Sequence, residues 1–102
     1  AASVVTFLRT PQFDQWLRGL RDPIGKARIT IRIRSVQAGN FGDCAPVGEG
    51  VSEIRVHVGP GYRVYFARRG DLVYLLLCGG DKASQKRDIE RAKALLKDLE
   101  SC

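Results

Sequence analysis

Basic and aromatic residues that could act on RNA are concentrated between residues 55 and 82 of this 102-residue chain. They are Arg55, His57, Arg63, Tyr65, Tyr74 and Lys82. Guanidinium groups bind phosphate oxygens, imidazole exchanges a proton near neutral pH, and aromatic rings stack on unpaired nucleobases. RNA cleavage needs little more, because the 2′-hydroxyl of the substrate can attack the adjacent phosphate. The residue types therefore predict a nucleic-acid binder that could also cleave RNA, and such cleavage would require neither a metal ion nor a cofactor.

Each basic residue has an expected role in that reaction. Arg55, Arg63 and Lys82 are assigned to stabilising the negative charge that develops at phosphorus. His57, the single histidine in the chain, is assigned as general base or general acid. These four residues make up the predicted catalytic group.

Substrate binding is assigned to Tyr65, Tyr74 and Arg68, and either tyrosine could also share the proton transfer. Five of the assigned residues have a structural alternative as well. A single histidine on a strand can be structural, and Arg63 can be a solvated or acid-paired surface arginine. The tyrosines can serve cross-strand packing, and Lys82 can simply be solvated.

Alternation along two predicted strands places the assigned side chains on one face of a sheet. The strands are residues 51–58 and 62–68, and Gly59-Pro60-Gly61 reads as a tight turn between them. The expected cross-strand pairs are Val58 with Tyr62, His57 with Arg63, and Arg55 with Tyr65. Apolar residues then meet apolar residues and polar residues meet polar ones, which supports this register.

A third strand is predicted from Leu72 to Cys78, after a turn at Arg69-Gly70. Pairing of Arg68 with Asp71 would place Tyr74 beside Tyr65 on the polar face. The same register would place Val73, Leu75 and Leu77 in the core.

The overall charge favours an anionic partner. The chain has 17 Lys and Arg residues against 11 Asp and Glu residues, and its net charge of +6 suits a nucleic acid or an acidic protein. Cys44, Cys78 and Cys102 form no CxxC pair, so we expect reduced thiols in the cytoplasm and no zinc site. No apolar run is long enough to span a membrane.

A single domain covering residues 1–102 is expected from the length. Ser3 to Leu8 is rich in β-branched residues and is predicted as the first strand. Thr10-Pro11 is a typical helix start, and the apolar spacing that follows predicts a helix ending near Arg21.

The next segment supports two interpretations. Ile29 to Arg34 alternates as a β-strand does. However, Asp22-Pro23 is a second helix-start signal, and Gly39-Asn40 is a typical stop signal at a normal helix length. We favour a helix from Pro23 to Ala38, because a helix buried over a wide face tolerates this pattern.

The remaining segments complete an α+β domain. Residues 40–50 form a loop with a short strand around Ala45 to Val47, and Gly79-Gly80-Asp81 ends the third strand of the meander. Asp81 or Ser84 is expected to cap a last helix. The buried residues of that helix are predicted to be Ile89, Ala92, Leu96 and Leu99. We expect the helices to pack on one face of an antiparallel sheet.

Four stretches, in order along nearly the whole chain, resemble one protein family. They are FDQWLRGLRD, RITIRIRSVQAGNFGD, GVSEIRVHVGPGYRVYF and LLLCGGDKASQKRDIERA. The sequence resembles toxins of the RelE/ParE superfamily, in the HigB-like branch of addiction module killer proteins. The resemblance implies a RelE-like fold with a compact antiparallel-rich sheet, an N-terminal helical hairpin and a C-terminal helix.

The resemblance also implies an activity and partners. Many relatives are mRNA interferases that cut mRNA in the ribosomal decoding site. A cognate antitoxin, typically a helix-turn-helix DNA-binding protein, silences them, and the toxin meets operator DNA only through the antitoxin complex. The catalytic arginine of the family matches Arg63, its second basic site matches Lys82, and Arg55 and His57 correspond in kind to basic residues on the preceding strand. Where some relatives have a tyrosine in the last helix this chain has Asp88, so we expect His57 to serve as the base.

Two other functions are compatible with the same fold. ParE-type relatives poison DNA gyrase and have no nuclease activity, and fold alone does not separate the two activities. The clustered arginines and histidine argue against the gyrase alternative, since a gyrase poison needs no catalytic cluster. A degenerate toxin could also act only as half of a DNA-binding regulatory complex.

Overall fold

The computed structural model describes residues 6–101, and within that range it contains three helices and five strands. The elements are β1 (Thr6–Arg9), α1 (Pro11–Gly19), α2 (Pro23–Gln37), β2 (Cys44–Gly48), β3 (Val51–Val56), β4 (Tyr62–Arg68), β5 (Val73–Asp81) and α3 (Gln85–Glu100). The α+β class is confirmed, whereas the predicted strand from Ser3 to Leu8 lies partly outside the described residues. None of these three helices is long and apolar enough to cross a membrane.

Side-chain caps define the start of the two N-terminal helices. The hydroxyl of Thr10 accepts a hydrogen bond of 3.0 Å from the backbone N–H of Phe13. The carboxylate of Asp22 accepts one of 2.9 Å from the backbone N–H of Gly25. These bonds satisfy amide groups that have no partner inside the helix. The helical interpretation of the segment after Asp22 is therefore confirmed, and this helix ends at Gln37.

The five strands form one sheet in the order β1-β5-β4-β3-β2. β2, β3, β4 and β5 pair antiparallel in succession, which confirms the predicted meander. β1 pairs in parallel with β5 through Thr6–Arg9 and Val73–Leu76. The first half of β5 is therefore an interior strand, which explains why its sequence is apolar on both faces.

Helices cover both faces of this sheet, and the expectation that they share one face is wrong. α1 and α2 pack on one face, where Phe13, Ile29 and Val36 are fully buried. α3 packs on the opposite face, where Ala92 and Leu96 are buried against the strands. The polar face that was expected to be open is thus partly covered by α3.

The register of β5 differs from the prediction. Arg68 pairs with Tyr74 instead of Asp71, because residues 69–72 form a longer turn. A bulge between Tyr65 and Phe66 then places Tyr65 opposite Cys78. The pairing of Arg68 has moved by three residues along β5. A register change by an odd number of residues moves each side chain of this part of β5 to the face opposite the predicted one. Tyr74 therefore belongs to the α1/α2 core and Tyr65 to the α3 core.

Gly79 and Gly80 continue β5 instead of ending it. Because neither residue has a side chain, one residue of α1 and one residue of α3 can approach the strand closely. A Cβ atom at Gly79 would lie 2.3 Å from the Trp16 indole of α1. A Cβ atom at Gly80 would lie 1.8 Å from the carboxylate of Asp88 in α3. That buried carboxylate also accepts hydrogen bonds from Ser84 and from Arg91. Glycine is thus required on both sides of the strand by close approach of a helix.

Candidate functional site

Two of the predicted phosphate-binding residues, Arg55 and Arg63, lie directly opposite each other on β3 and β4. The predicted pairing of His57 with Arg63 is wrong by two residues. β3 ends at Val56, and residues 57–61 form a longer loop closed by backbone hydrogen bonds of 2.9 and 3.1 Å. A change of two residues in the β3–β4 register leaves every side chain on its predicted face of the sheet. Arg55 and Arg63 therefore still lie on the face that α3 partly covers.

The carboxylate of Glu53 lies between these two arginines and is fully buried. It accepts hydrogen bonds of 2.9 Å from Nε of Arg55 and from the amide of Gln85. Its Oε2 is also 3.8 Å from Nε of Arg63. The hydrogen bond to Glu53, followed by the charge of Asp43, raises the pKa of Arg55 above its ordinary value. A buried carboxylate is stable only when paired in this way.

Arg63 and Lys82 meet at the turn glycine Gly61. The Nη1 group of Arg63 donates a hydrogen bond of 2.9 Å to the carbonyl oxygen of Gly61. A Cβ atom built on Gly61 would lie 3.3 Å from that Nη1 and 3.6 Å from Cβ of Lys82. Gly61 has a φ of 79°, a conformation that favours glycine. The turn therefore brings the side chains of Arg63 and Lys82 to the same end of the sheet.

His57 pairs with Asp43 on the loop before β2, not with Arg63. Its Nε2 atom is hydrogen-bonded to Oδ2 of Asp43, and its side chain is 71% exposed. Oδ1 of the same carboxylate lies 3.4 Å from Nη1 of Arg55. The hydrogen bond with His57 is the main cause that lowers the pKa of Asp43. Asp43 therefore joins His57 to Arg55, leaving Nδ1 of His57 as the nitrogen that Asp43 does not contact.

Tyr65 does not provide the stacking surface that was predicted for it. Its side chain is fully buried, and no described residue forms a hydrogen bond with its hydroxyl. Burial, followed by the negative charge of the nearby Glu53, raises the pKa of Tyr65 far above its ordinary value. A phenol in this environment neither contacts a nucleobase nor transfers a proton at neutral pH.

Tyr74 and Arg68, the other predicted substrate-binding residues, lie away from the two paired arginines. Tyr74 is buried on the α1/α2 side and stacks on Phe66 with ring centroids 5.5 Å apart. The guanidinium of Arg68 donates to the carbonyl oxygen of Gly70 and to Asp71 in the β4–β5 turn. Cross-strand packing, the structural alternative for Tyr74, is thus what the structure contains, and Arg68 pairs with an acidic residue of its own turn.

The structure thus brings together Arg55, Arg63 and Lys82 at one end of the sheet, with His57 attached through Asp43. Glu53 and Asp43 together supply two negative charges against the three cations Arg55, Arg63 and Lys82, so positive charge remains in excess. Such an arrangement can bind a phosphate group and stabilise additional negative charge on it. Within residues 6–101, no group of three or more His, Cys, Asp or Glu side chains is arranged to hold a metal ion.

Sequence reasoning missed Glu53, Gln85 and Asp43. A signal for Glu53 was present, since it lies two residues before Arg55 on an alternating strand and so shares its face. Two arginines side by side are unfavourable without an anion between them, and Glu53 supplies that anion. The contacts of Gln85 and Asp43 arise from α3 and from the loop before β2, which strand alternation does not describe.

Comparison with known proteins defines the family of this α+β domain. The chain is 46% identical over 90 residues to an uncharacterized protein of Haemophilus influenzae, and the alignment covers 88% of this chain and 91% of that protein. The chain belongs to the same family as this Haemophilus influenzae protein. No protein-family model matches the sequence, and no solved structure matches it.

Proposed function

We propose that this protein is a toxin of the RelE/ParE type that cleaves mRNA on the ribosome in the cytoplasm. The observation that carries the proposal is the pairing of Arg55 with Arg63 at the end of a β-hairpin, where Lys82 adds a third cation. Cations fixed on neighbouring strands stabilise the charge of a pentacoordinate phosphate without reorganising during the reaction. The resemblance of the GPGYRVYF and CGGDK stretches to these toxins supports the same function.

In the proposed reaction the substrate provides its own nucleophile. Nδ1 of His57 takes the proton from the 2′-hydroxyl, while Asp43 holds the imidazole through Nε2. Arg63 and Lys82 bind the phosphate oxygens, and Arg55 lies beside them. The 2′-oxygen then attacks phosphorus and the bond to the 5′-oxygen breaks. The departing oxygen takes a proton from water, so the products carry a 2′,3′-cyclic phosphate and a 5′-hydroxyl.

The proposed partners follow from the same assignment. A cognate helix-turn-helix antitoxin would hold the toxin inactive, and the pair would bind operator DNA through the antitoxin. A net charge of +6 favours association with an acidic segment of that antitoxin and with ribosome-bound RNA.

Cleavage on translating ribosomes tests the proposal directly. The purified chain is added to a translation reaction, and the ends of the mRNA are mapped. We expect new 5′ ends with the wild-type protein and about a hundredfold slower cleavage with Arg63→Ala. Arg87→Ala, on the exposed face of α3, is the matched control and should cleave at the wild-type rate. Absence of new ends, or equal cleavage by Arg63→Ala, excludes the proposed nuclease.

One observation favours a second candidate, the ParE-type gyrase poison. Glu53 already pairs with both arginines, and His57 lies on the Asp43 side instead of opposite Arg63. A protein that only binds gyrase would tolerate this arrangement. Inhibition of DNA supercoiling by the wild-type chain, without RNA cleavage, would establish the second candidate over the first.

A further inference from the structure

A cleft lies where β5 separates from its neighbour β1. β1 pairs with β5 only as far as Leu76, and within residues 6–101 no strand pairs with Cys78–Asp81 on that side. Thr10 lies at the point of separation. Its hydroxyl donates a hydrogen bond of 2.6 Å to the carbonyl oxygen of Leu77, and α1 begins at the next residue. The edge of β5 is therefore open between α1 on one face of the sheet and α3 on the other.

An aromatic ring, two amides and a guanidinium group line this cleft. Its volume is about 460 Å³, and its lining residues are Gln12, Gln15 and Trp16 of α1, Cys78 of β5 and Arg91 of α3. The three residues of α1 are three and four positions apart, so they share one side of the helix. Both glutamine side chains are exposed and the indole is half-buried. A flat molecule with hydrogen-bonding groups on its rim fits this combination.

Arg91 is held at the cleft by a buried carboxylate. Its Nη2 atom donates a hydrogen bond of 2.8 Å to Oδ1 of Asp88, while 55% of its side chain stays exposed. The charge of Asp88 balances that of Arg91, so this pair adds no net charge to the cleft. Neutral amides and a paired guanidinium suit the carbonyl and ring-nitrogen groups of a nucleobase better than they suit a free phosphate.

The cleft lies along β5 from the candidate functional site. Cys78 and Lys82 are four positions apart, which corresponds to about 13 Å along an extended strand. Trp16 also contacts Tyr62, the residue before Arg63 on β4, with ring centroids 6.3 Å apart. A single strand of RNA whose phosphate is bound by Arg63 and Lys82 can therefore place a nearby base in the cleft.

We propose that the cleft between α1 and α3 binds an unpaired nucleobase. The base stacks on Trp16, and its rim forms hydrogen bonds with Gln12, Gln15 and Arg91. Base binding depends on the cleft alone. The further statement that this base lies close to the cleaved linkage, and so selects where mRNA is cut, rests on the proposed function.

A strand of another protein is the other occupant that an open sheet edge suggests. This edge is limited to Cys78–Asp81, and Leu77 just before it is the extra residue of the bulge in the pairing with β4. Short and bulged edges oppose the addition of a further strand. Gly79 and Gly80 also offer no side chains for cross-strand pairs. The open edge therefore favours the nucleobase over the strand.

The fluorescence of Trp16, the one tryptophan of the chain, reports binding in the cleft. The full chain is titrated with hexaribonucleotides of A, C or U that carry 2′-O-methyl groups, so the proposed cleavage cannot consume them. We expect saturable quenching and about tenfold tighter binding of one base than of the others. Gln12→Ala with Gln15→Ala should weaken binding of that preferred base about tenfold. Asn40→Ala removes an exposed amide outside the cleft and is the matched control, which should bind as the wild type does.

Three results of this titration would overturn the inference. They are no quenching, equal affinity for an abasic hexamer, and unchanged affinity of a double variant that circular dichroism shows to be folded. A peptide of alternating threonine and glutamate tests the competing occupant. Quenching by this peptide and not by the hexamers would assign the edge of β5 to strand addition.

Cleavage of mRNA on ribosomes is measured in parallel, so that the two proposals are separated. Cleavage without quenching removes the inference and leaves the proposed function intact. Base-selective quenching without cleavage removes the proposed function and leaves the base-binding cleft. Where both occur, Gln12→Ala with Gln15→Ala should cut mRNA with a broader choice of bases near the cut. An unchanged choice would contradict the place of the cleft beside the cleaved linkage.

Discussion

Arg55 donates a hydrogen bond of 2.9 Å from its Nε to Oε1 of Glu53, which lies two residues earlier on the same face of β3. The same carboxylate is 3.8 Å from Arg63 on β4 and accepts a hydrogen bond from Gln85 on α3. Glu53 therefore links three elements of the fold. It also fixes the two guanidinium groups of the candidate site, so stability and proposed activity depend on one buried carboxylate.

Replacing this carboxylate with a neutral amide should destabilise the protein. Glu53→Gln keeps the shape of the side chain but removes the charge that both arginines face, and we expect a loss of about 2 kcal/mol in the free energy of unfolding. Urea denaturation followed by circular dichroism measures this change. Glu49→Gln is the control, since the exposed Glu49 side chain pairs with Lys93 at the surface, and this substitution should change stability by less than about 1 kcal/mol. Equal effects of the two substitutions would show that Glu53 is not a structural link.

The close approach of Trp16 to Gly79 should be detectable by adding a single methyl group. Gly79→Ala places a Cβ 2.3 Å from the indole, and we expect a loss of stability of about 2 kcal/mol and a shifted fluorescence maximum of Trp16, the one tryptophan of the chain. Gly70→Ala is the control, because no described atom lies within 4 Å of the new Cβ. Combining Gly79→Ala with Trp16→Leu should cost less than the sum of the two separate changes. Strict additivity would contradict the contact.

Signals within a few residues predicted the helices, whereas the strand register needed longer-range information. The Thr10 and Asp22 caps were predictable because each hydrogen bond spans three residues. The register of β5 was not, since the strand is apolar on both faces and alternation does not reveal which side chains point which way. The bulge between Tyr65 and Phe66 shifts the pairing by one further residue, and alternation carries no signal for it. The sequence therefore did not place Tyr74 on the face opposite Tyr65.

Only the part of the candidate site that lies on regular strands could be predicted from the sequence. The residue types and the shared face of Arg55 and Arg63 followed from alternation alone. The pairing of His57 with Asp43 did not, because it depends on where the loop before β2 folds. One of the structural alternatives considered for Arg63, pairing with an acidic residue, is what the structure contains. Sequence patterns thus identified the arginines but not the carboxylates that hold them.

Stability at acidic pH should depend on the N-cap residue Asp22. The hydrogen bond from the backbone N–H of Gly25, followed by that from the Tyr62 hydroxyl, lowers the pKa of Asp22 in the folded protein. Since the folded pKa is lower than the unfolded value of about 3.9, the stabilisation is complete above that value and is lost as pH falls through the folded pKa. Asp22→Asn keeps a capping oxygen without the charge. The difference in unfolding free energy between wild type and Asp22→Asn should therefore shrink between about pH 5 and pH 2, and a constant difference would contradict the assignment.

The thiol of Cys78 should be unreactive until the protein unfolds. It is buried between β5 and α3, and burial raises the pKa of Cys78 to about 11. Alkylation requires the thiolate, so both the low thiolate fraction and the lack of access slow the reaction. In the variant Cys44→Ser, Cys102→Ser, we expect iodoacetamide at pH 8 to react at least about a hundredfold more slowly with the native protein than with the urea-unfolded protein. Comparable rates in the two states would show that β5 is accessible in the native protein.

Removing the hydroxyl of Tyr65 should separate a structural role from a catalytic one. No described residue hydrogen-bonds to this hydroxyl, and it is fully buried beside Glu53. Tyr65→Phe keeps the ring and removes a polar atom whose burial is uncompensated, so the free energy of unfolding should stay equal or rise by about 1 kcal/mol. The mRNA cleavage rate should also be unchanged, because a phenol with a strongly raised pKa does not exchange its proton at neutral pH. Urea denaturation and the ribosome cleavage assay give the two readouts. A cleavage rate that drops tenfold while stability is retained would place Tyr65 in the catalytic group and show that the site rearranges when RNA binds.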